Sequence, residues 1–219
     1  MREGKDNTLL LTVIGIATLL VAVAGATFAY FTAQTRYTDE SGSTLTIYSS
    51  NGTVNKLEGG ATLKVDNIYP VDGRVWATKV INYTTTAGTT GADQGYTVTL
   101  NYLNTFADDS IAYNFAAVTD SDAAVCKNGF EYGEDCVGDT IKSKALTGTE
   151  SFVTGGTGTF KNATGTEKTI TFSGGNIPIT VAAQHVYKLE ISYPNGAGNQ
   201  NADQGKSISV RVTVAQTNQ

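Results

Sequence analysis

The sequence holds little of what site chemistry usually draws on. Among its 219 residues are one histidine, His185, two cysteines, Cys126 and Cys136, three prolines and one methionine. A single imidazole excludes His-rich metal centres, and a Ser-His-Asp triad would need distant partners brought to it. His185 stands in Ala182-Ala183-Gln184-His185-Val186-Tyr187 at the entry to a strand pattern, where a structural role is expected. Basic residues number 15 against 20 acidic ones, a net charge of −5. Positive charge spread this thinly leaves no footprint for nucleic acid. There is no Gly-x-Ser-x-Gly elbow, and the Gly-rich stretch 154–160, TGGTGTF, lacks the Lys and following helix of a phosphate loop. It reads as a hairpin or loop. The expectation from these absences is a chain with no catalytic, cofactor or metal residues, hence not an enzyme.

Acidic residues gather in one region: Asp108, Asp109, Asp120, Asp122, Glu131, Glu134 and Asp135. The alternating Asp spacing of a calcium loop is missing, so solvated loops are the expectation and a calcium site the alternative. The spacing of Cys126 and Cys136 fits neither a zinc knuckle nor a CxxC redox site. In an exported chain they would form a local disulfide; in a reducing compartment, two free thiols. The choice depends on the N-terminus.

What the sequence does have is Thr, Gly and Tyr in abundance, with charged residues at only 16%. Period-two alternation recurs along the chain. It places Leu45 and Ile47, Leu63 and Val65, and Tyr96, Val98, Leu100 and Tyr102 each on one face. Ile111, Tyr113 and Phe115 follow, then Ile170 and Phe172, Tyr187, Leu189, Ile191 and Tyr193, and Ile208, Val210, Val212 and Val214. No helical periodicity lasts beyond a turn or two. Strands with one apolar face apiece must pair those faces, so the expected fold is all-β: an antiparallel two-sheet β-sandwich, jelly-roll-like. The apolar pairs Val75-Trp76 and Val80-Ile81 break the alternation and predict a bulge or a strand buried on both faces, with Trp76 in the core. Residues 91–100 and 201–210 echo each other as an Asp-Gln-Gly turn launching an alternating strand.

From Thr8 to Thr35 no side chain is charged. A run of this length exceeds the apolar core of ordinary signal peptides and reaches the roughly 20 residues that span a bilayer as a helix. Export or anchoring is expected, with one N-terminal hydrophobic helix. A small-x-small pattern at Thr27-Phe28-Ala29 would release a chain beginning at Tyr30. A prepilin reading is disfavoured, because Lys5 and Leu9 stand where a hydrophobic residue and a Glu are wanted.

The closing motif Gly25-Ala26-Thr27-Phe28-Ala29-Tyr30-Phe31 resembles the export signal of the TasA/camelysin family, which a dedicated signal peptidase processes. A second match is Asp66-Asn67-Ile68-Tyr69-Pro70-Val71-Asp72-Gly73, followed by Val80-Ile81-Asn82-Tyr83. It is similar to that family's hydrophobic-x-Pro-Gly-Asp turn leading to a strand that ends in an Asn turn, with Val71 in place of the usual Gly. The resemblance implies a secreted, fibre-forming β-sandwich whose N-terminal strand completes the sandwich of the next subunit, giving a filament of identical copies. Residues 1–29 would then be signal peptide or transmembrane helix, 30–42 donor strand and linker, and 43–219 the sandwich. Phe31, Ala33 and Tyr37, with Thr35 between, would anchor the donor strand. The alternative is a cell-surface adhesin for carbohydrate or cells, held in the membrane by an uncut helix. In both, contact with membrane is through the N-terminal helix alone.

Overall fold

The computed structural model of the chain describes residues 14–19, 21, 45–48, 54–59, 62–89, 92–132, 136, 138–196 and 200–217. The chain divides into two compact units, Met1–Gln34 and Thr35–Gln219. In the first, residues 14–19 and 21 are helical. Thr18 is accommodated there by donating its hydroxyl to the Ile14 carbonyl at 2.8 Å. Among the described residues, no helix is long and apolar enough to cross a membrane. The cleavage residues Thr27, Ala29 and Tyr30, and the donor residues Phe31, Ala33, Thr35 and Tyr37, lie outside the described residues.

The second unit is an antiparallel two-sheet β-sandwich. The larger sheet runs in the order β1 (Leu45–Tyr48), β2 (Val54–Glu58), β4 (Val75–Thr85), β12 (Gln184–Ser192), β6 (Ala112–Ala117), β10 (Gly156–Thr159), with β8 (Phe130–Glu131) also on β4. The smaller sheet runs β11 (Lys168–Ile177), β5 (Gln94–Asn104), β13 (Ser207–Thr217), β3 (Leu63–Asp66). A short ladder joins β7 (Val125–Cys126) to β9 (Thr140–Ile141). The alternation explains the layering: Tyr96, Val98, Leu100 and Tyr102 of β5 and Ile208, Val210 and Val212 of β13 are buried against Tyr187, Leu189 and Ile191 of β12. The two echoed strand entries serve β5 and β13, which are antiparallel neighbours in one sheet.

Strand β4 shows both effects that its paired apolar residues predict. Ala77, Ile81 and Tyr83 belong to the main core, whereas Val80 packs with Val118 and Val186, against Val125 and Ile141. The strand is therefore covered on both faces. Its pairing with β12 slips between Ile191↔Ala77 and Ser192↔Val75, which leaves Trp76 as the extra residue of a bulge. Trp76 is only 3% exposed.

Two local expectations are corrected. Part of the Gly-rich stretch is a strand, β10, paired with β6. The Tyr113 ring lies over this strand, and a Cβ on Gly158 would stand 2.8 Å from its hydroxyl, so a larger residue there would have to displace that side chain. Asn82 does not end a strand in a turn; it sits inside β4, and its Nδ2 donates to Glu58 Oε2 at 3.0 Å.

The edges of the smaller sheet are unlike. On β11, residues 151–154 cover the edge: Ser151 and Asn176 exchange backbone hydrogen bonds at 2.9 Å, and Thr154 N–H donates to the Ser173 carbonyl at 2.8 Å. The chain then enters β10, at the edge of the larger sheet. On the other edge, β5 pairs β13 from Ile208 to Thr217, but β3 pairs it only from Ser207 to Val210. Among the described residues, no strand lies beside Arg211–Thr217 on that edge.

Candidate functional site

Two side-chain constellations stand out, one inside the sandwich and one at its surface. The interior one is a chain of hydrogen bonds. His185 of β12 and Tyr96 of β5 face each other across the layers, with Tyr96 Oη 2.5 Å from His185 Nδ1 and 2.5 Å from Tyr187 Oη. His185 Nε2 lies 2.7 Å from Glu150 Oε1. Val153 N–H donates to Tyr187 Oη at 3.1 Å, and Thr147 N–H donates to Glu150 Oε2 at 2.9 Å.

One assignment of protons satisfies every member. Nε2–H donates to the carboxylate, Nδ1 accepts from the Tyr96 hydroxyl, and Tyr96 accepts from the Tyr187 hydroxyl. Burial pushes the His185 imidazole below its ordinary 6.5, opposed by its bond to Glu150, so the ring is neutral as that assignment requires. Burial also pushes the Tyr187 phenol up to about 12 and the Tyr96 phenol upward. His185 and Tyr187 are fully buried and Tyr96 nearly so. The network ties β5, β12 and the segment 147–153 together, with His185 bonded at both ring nitrogens.

The surface constellation centres on Arg74. Its guanidinium carbon lies 3.8 Å from the ring centre of Tyr132, 5.0 Å from that of Trp76 and 5.5 Å from that of Tyr69. Nη1 donates to Tyr69 Oη at 2.8 Å. Tyr69 and Tyr132 are 49% and 50% exposed, whereas Trp76 is buried and, among the described residues, its Nε1 has no acceptor. Tyr69 and Arg74 come from the turn after β3; Tyr132 arrives from a separate loop.

That loop is held by four restraints. Cys126 and Cys136 form a disulfide, with Cα atoms 5.5 Å apart. β8 pairs with Ala77 and Thr78, and Tyr132 N–H donates to the Trp76 carbonyl at 3.0 Å. Gly129 adopts φ 72°, where a Cβ would stand 2.0 Å from the Thr78 carbonyl oxygen. Only glycine allows the loop to lie this close to β4.

Among the described residues, the acidic side chains do not converge on one point. Asp109 binds Lys161 Nζ at 2.6 Å, and Asp108 accepts from Asn162 N–H at 2.5 Å. Asp122 instead accepts from Thr119 N–H at 2.7 Å. The side chains of Glu131, Glu134 and Asp135 lie outside the described residues. Among the described residues, no group of three or more His, Cys, Asp or Glu could hold a metal ion.

Sequence reasoning set Tyr96 and Tyr187 on apolar strand faces, Trp76 in the core and His185 in a structural role at a strand entry, but missed Glu150, Arg74 and Tyr132 as partners. Nothing in the sequence signals which loop residue meets a buried imidazole. A clue to the surface cluster was available in the lone Arg flanked by Tyr69 and Trp76.

Fold and constellations together define an antiparallel β-sandwich with a polar lock in its core. No protein-family model matches the chain, and no curated protein matches it. Among solved structures, one match is an alginate lyase, AlgAT5, from polysaccharide lyase family 7. Its TM-score is 0.25 at 10% identity, over 81% of this chain and 85% of that one. This finding overturns the expectation that the chain is not an enzyme: missing motifs exclude only motif-based chemistry, and a fold does not fix function. At that similarity the match assigns no activity here.

Proposed function

We propose that the chain is a secreted structural subunit of a surface fibre or biofilm matrix, in which each copy gives its N-terminal segment to the next. The single observation that supports this reading is the edge of β13, beside which, among the described residues, no strand lies past Val210. Beside Arg211–Thr217 the backbone of a central strand faces outward, and its inward side chains Val212 and Val214 are buried and half-buried. An extended segment laid there would continue β3 along β13, pair its outward-facing backbone groups and cover the half-buried Val214. The segment 30–37, with Phe31, Ala33 and Tyr37 on one face and Thr35 between them, has the alternation such a slot needs. A donor that leaves one copy and enters another makes a head-to-tail contact that does not close on itself, which is filament geometry.

The TasA/camelysin resemblance of residues 25–31 supports export to the cell surface and cleavage by a signal peptidase at Tyr30. The test is the intact mass of the protein recovered from its native surface or medium, with negative-stain microscopy of the same sample. A chain beginning at or near Tyr30 together with thin filaments is expected, and deletion of residues 30–37 should abolish the filaments. Filaments that persist without 30–37 would refute donor-strand assembly.

A further inference from the structure

We propose that the Arg74 cluster is a binding site for the carboxylate of an acidic sugar, a uronate unit of an anionic polysaccharide. Arg74 is held by rings: its described partners are the faces of Tyr69, Trp76 and Tyr132 and the Tyr69 hydroxyl. Several other surface cations lean on acids instead, Arg211 on Glu167, Lys161 on Asp109 and Lys188 on Glu190. No carboxylate among the described side chains is paired with Arg74. A ring-held guanidinium keeps its charge and the rest of its donor fork for an incoming anion, and that fork matches a carboxylate in two-pronged fashion.

The rings add the second half of the recognition. Tyr69 and Tyr132 are each half-exposed around the guanidinium, so each presents an apolar body with a polar tip. The apolar C–H face of a pyranose suits such rings while its carboxylate meets Arg74.

The geometry favours a sugar over an acidic peptide. At Ala77 and Thr78 β4 is paired on both edges, with β12 and with β8, so no backbone ladder can be extended there. The site is also preorganised, since the disulfide loop fixes Tyr132 before any ligand arrives.

The inference is independent of the fibre reading and is tested on the full chain with its disulfide intact. Calorimetric titration with oligogalacturonate is compared with a cello-oligosaccharide of equal length and with poly-L-glutamate. The same titrations follow for Arg74→Gln and Tyr132→Ala, each checked for folding by its urea midpoint. Oligogalacturonate should bind, the neutral sugar and the polypeptide should not, and each variant should lose at least about tenfold in affinity, as expected when a charged hydrogen bond or a stacking ring is removed. Absence of uronate binding, or equal binding by Arg74→Gln, overturns the proposal. Equal binding of poly-L-glutamate also overturns it, because the cluster would then read carboxylates without regard to the sugar.

Discussion

Replacing Tyr96 by Phe removes one oxygen from the middle of the buried network and leaves the ring in place. Two groups then lose their partners: His185 Nδ1 loses its donor, and the Tyr187 hydroxyl loses its acceptor. Both residues are fully buried, so water cannot step in without opening the core. Each buried group left unsatisfied costs about 1–3 kcal/mol, so the loss expected for Tyr96→Phe is about 2–6 kcal/mol. Ring packing is retained, including the contact with Tyr83 at 4.8 Å between centres. With a urea m-value of roughly 2–3 kcal/mol/M for a domain of this size, the midpoint should fall by about 0.7–3 M. Tyr187→Phe and the double variant complete a cycle. The two substitutions should be non-additive by about 0.5–3 kcal/mol, because each removes part of the same bond. A Tyr96→Phe loss within about 0.5 kcal/mol, or strict additivity, would refute the network as a source of stability.

The neutral state of His185 has a pH signature. The imidazole is pushed below its ordinary 6.5 in the folded chain, so unfolding takes up a proton that the folded state refuses. Stability is full above about pH 6.5 and falls as pH drops toward the lowered folded value, by at most ~1.4 kcal/mol per pH unit. Urea midpoints at pH 7.5 and 5.5 should show this slope, and His185→Gln should flatten it. Glu58, Asp109 and Asp122 are held below their ordinary 4.5 and 3.8 and weigh in only at lower pH, so an unchanged slope in His185→Gln would count against the assignment. Gly129→Ala should displace the disulfide loop, since its Cβ would collide with the Thr78 carbonyl at a backbone conformation unfavourable to Ala. The expected readout is a changed Tyr132 environment in aromatic NMR shifts with the sandwich intact. Cys126→Ser with Cys136→Ser should cost about 2–3 kcal/mol for a loop this short, and the loss should match that of the wild type under reducing agent.

Much of the sandwich was legible because its strands carry strict alternation over a shared core. Tyr96, Val98, Leu100 and Tyr102 announce β5, and the doubled apolar pairs announce the two-faced, bulged β4. β10 was not legible because its residues alternate Gly with Thr; the apolar surface it needs comes from Tyr113 on the adjacent β6 and Phe172 on β11 of the other sheet. β2 shows no alternation, since Val54 and Leu57 stand three apart with Asn55 and Lys56 between them, and the two-residue strands β7, β8 and β9 are too short for a period to show. The sites follow the same division. Inward placement of His185 and Tyr187 is a strand property and could be read, whereas Glu150 and Tyr132 reach their partners from loops whose paths depend on long-range packing.

The buried hydrogen-bond chain also bears on how the sheets find their alignment. An apolar face repeats every two residues, so β5 sliding by two positions against β12 would still set hydrophobic side chains opposite one another. The same slide would strand the Tyr96 hydroxyl among hydrocarbon and leave His185 and Tyr187 without it. A face of Val and Leu tolerates several alignments, while a face that includes Tyr, His and Glu tolerates one. The network thus works as a key for strand alignment, separating the native pairing from near neighbours that hydrophobicity alone would rank as equals.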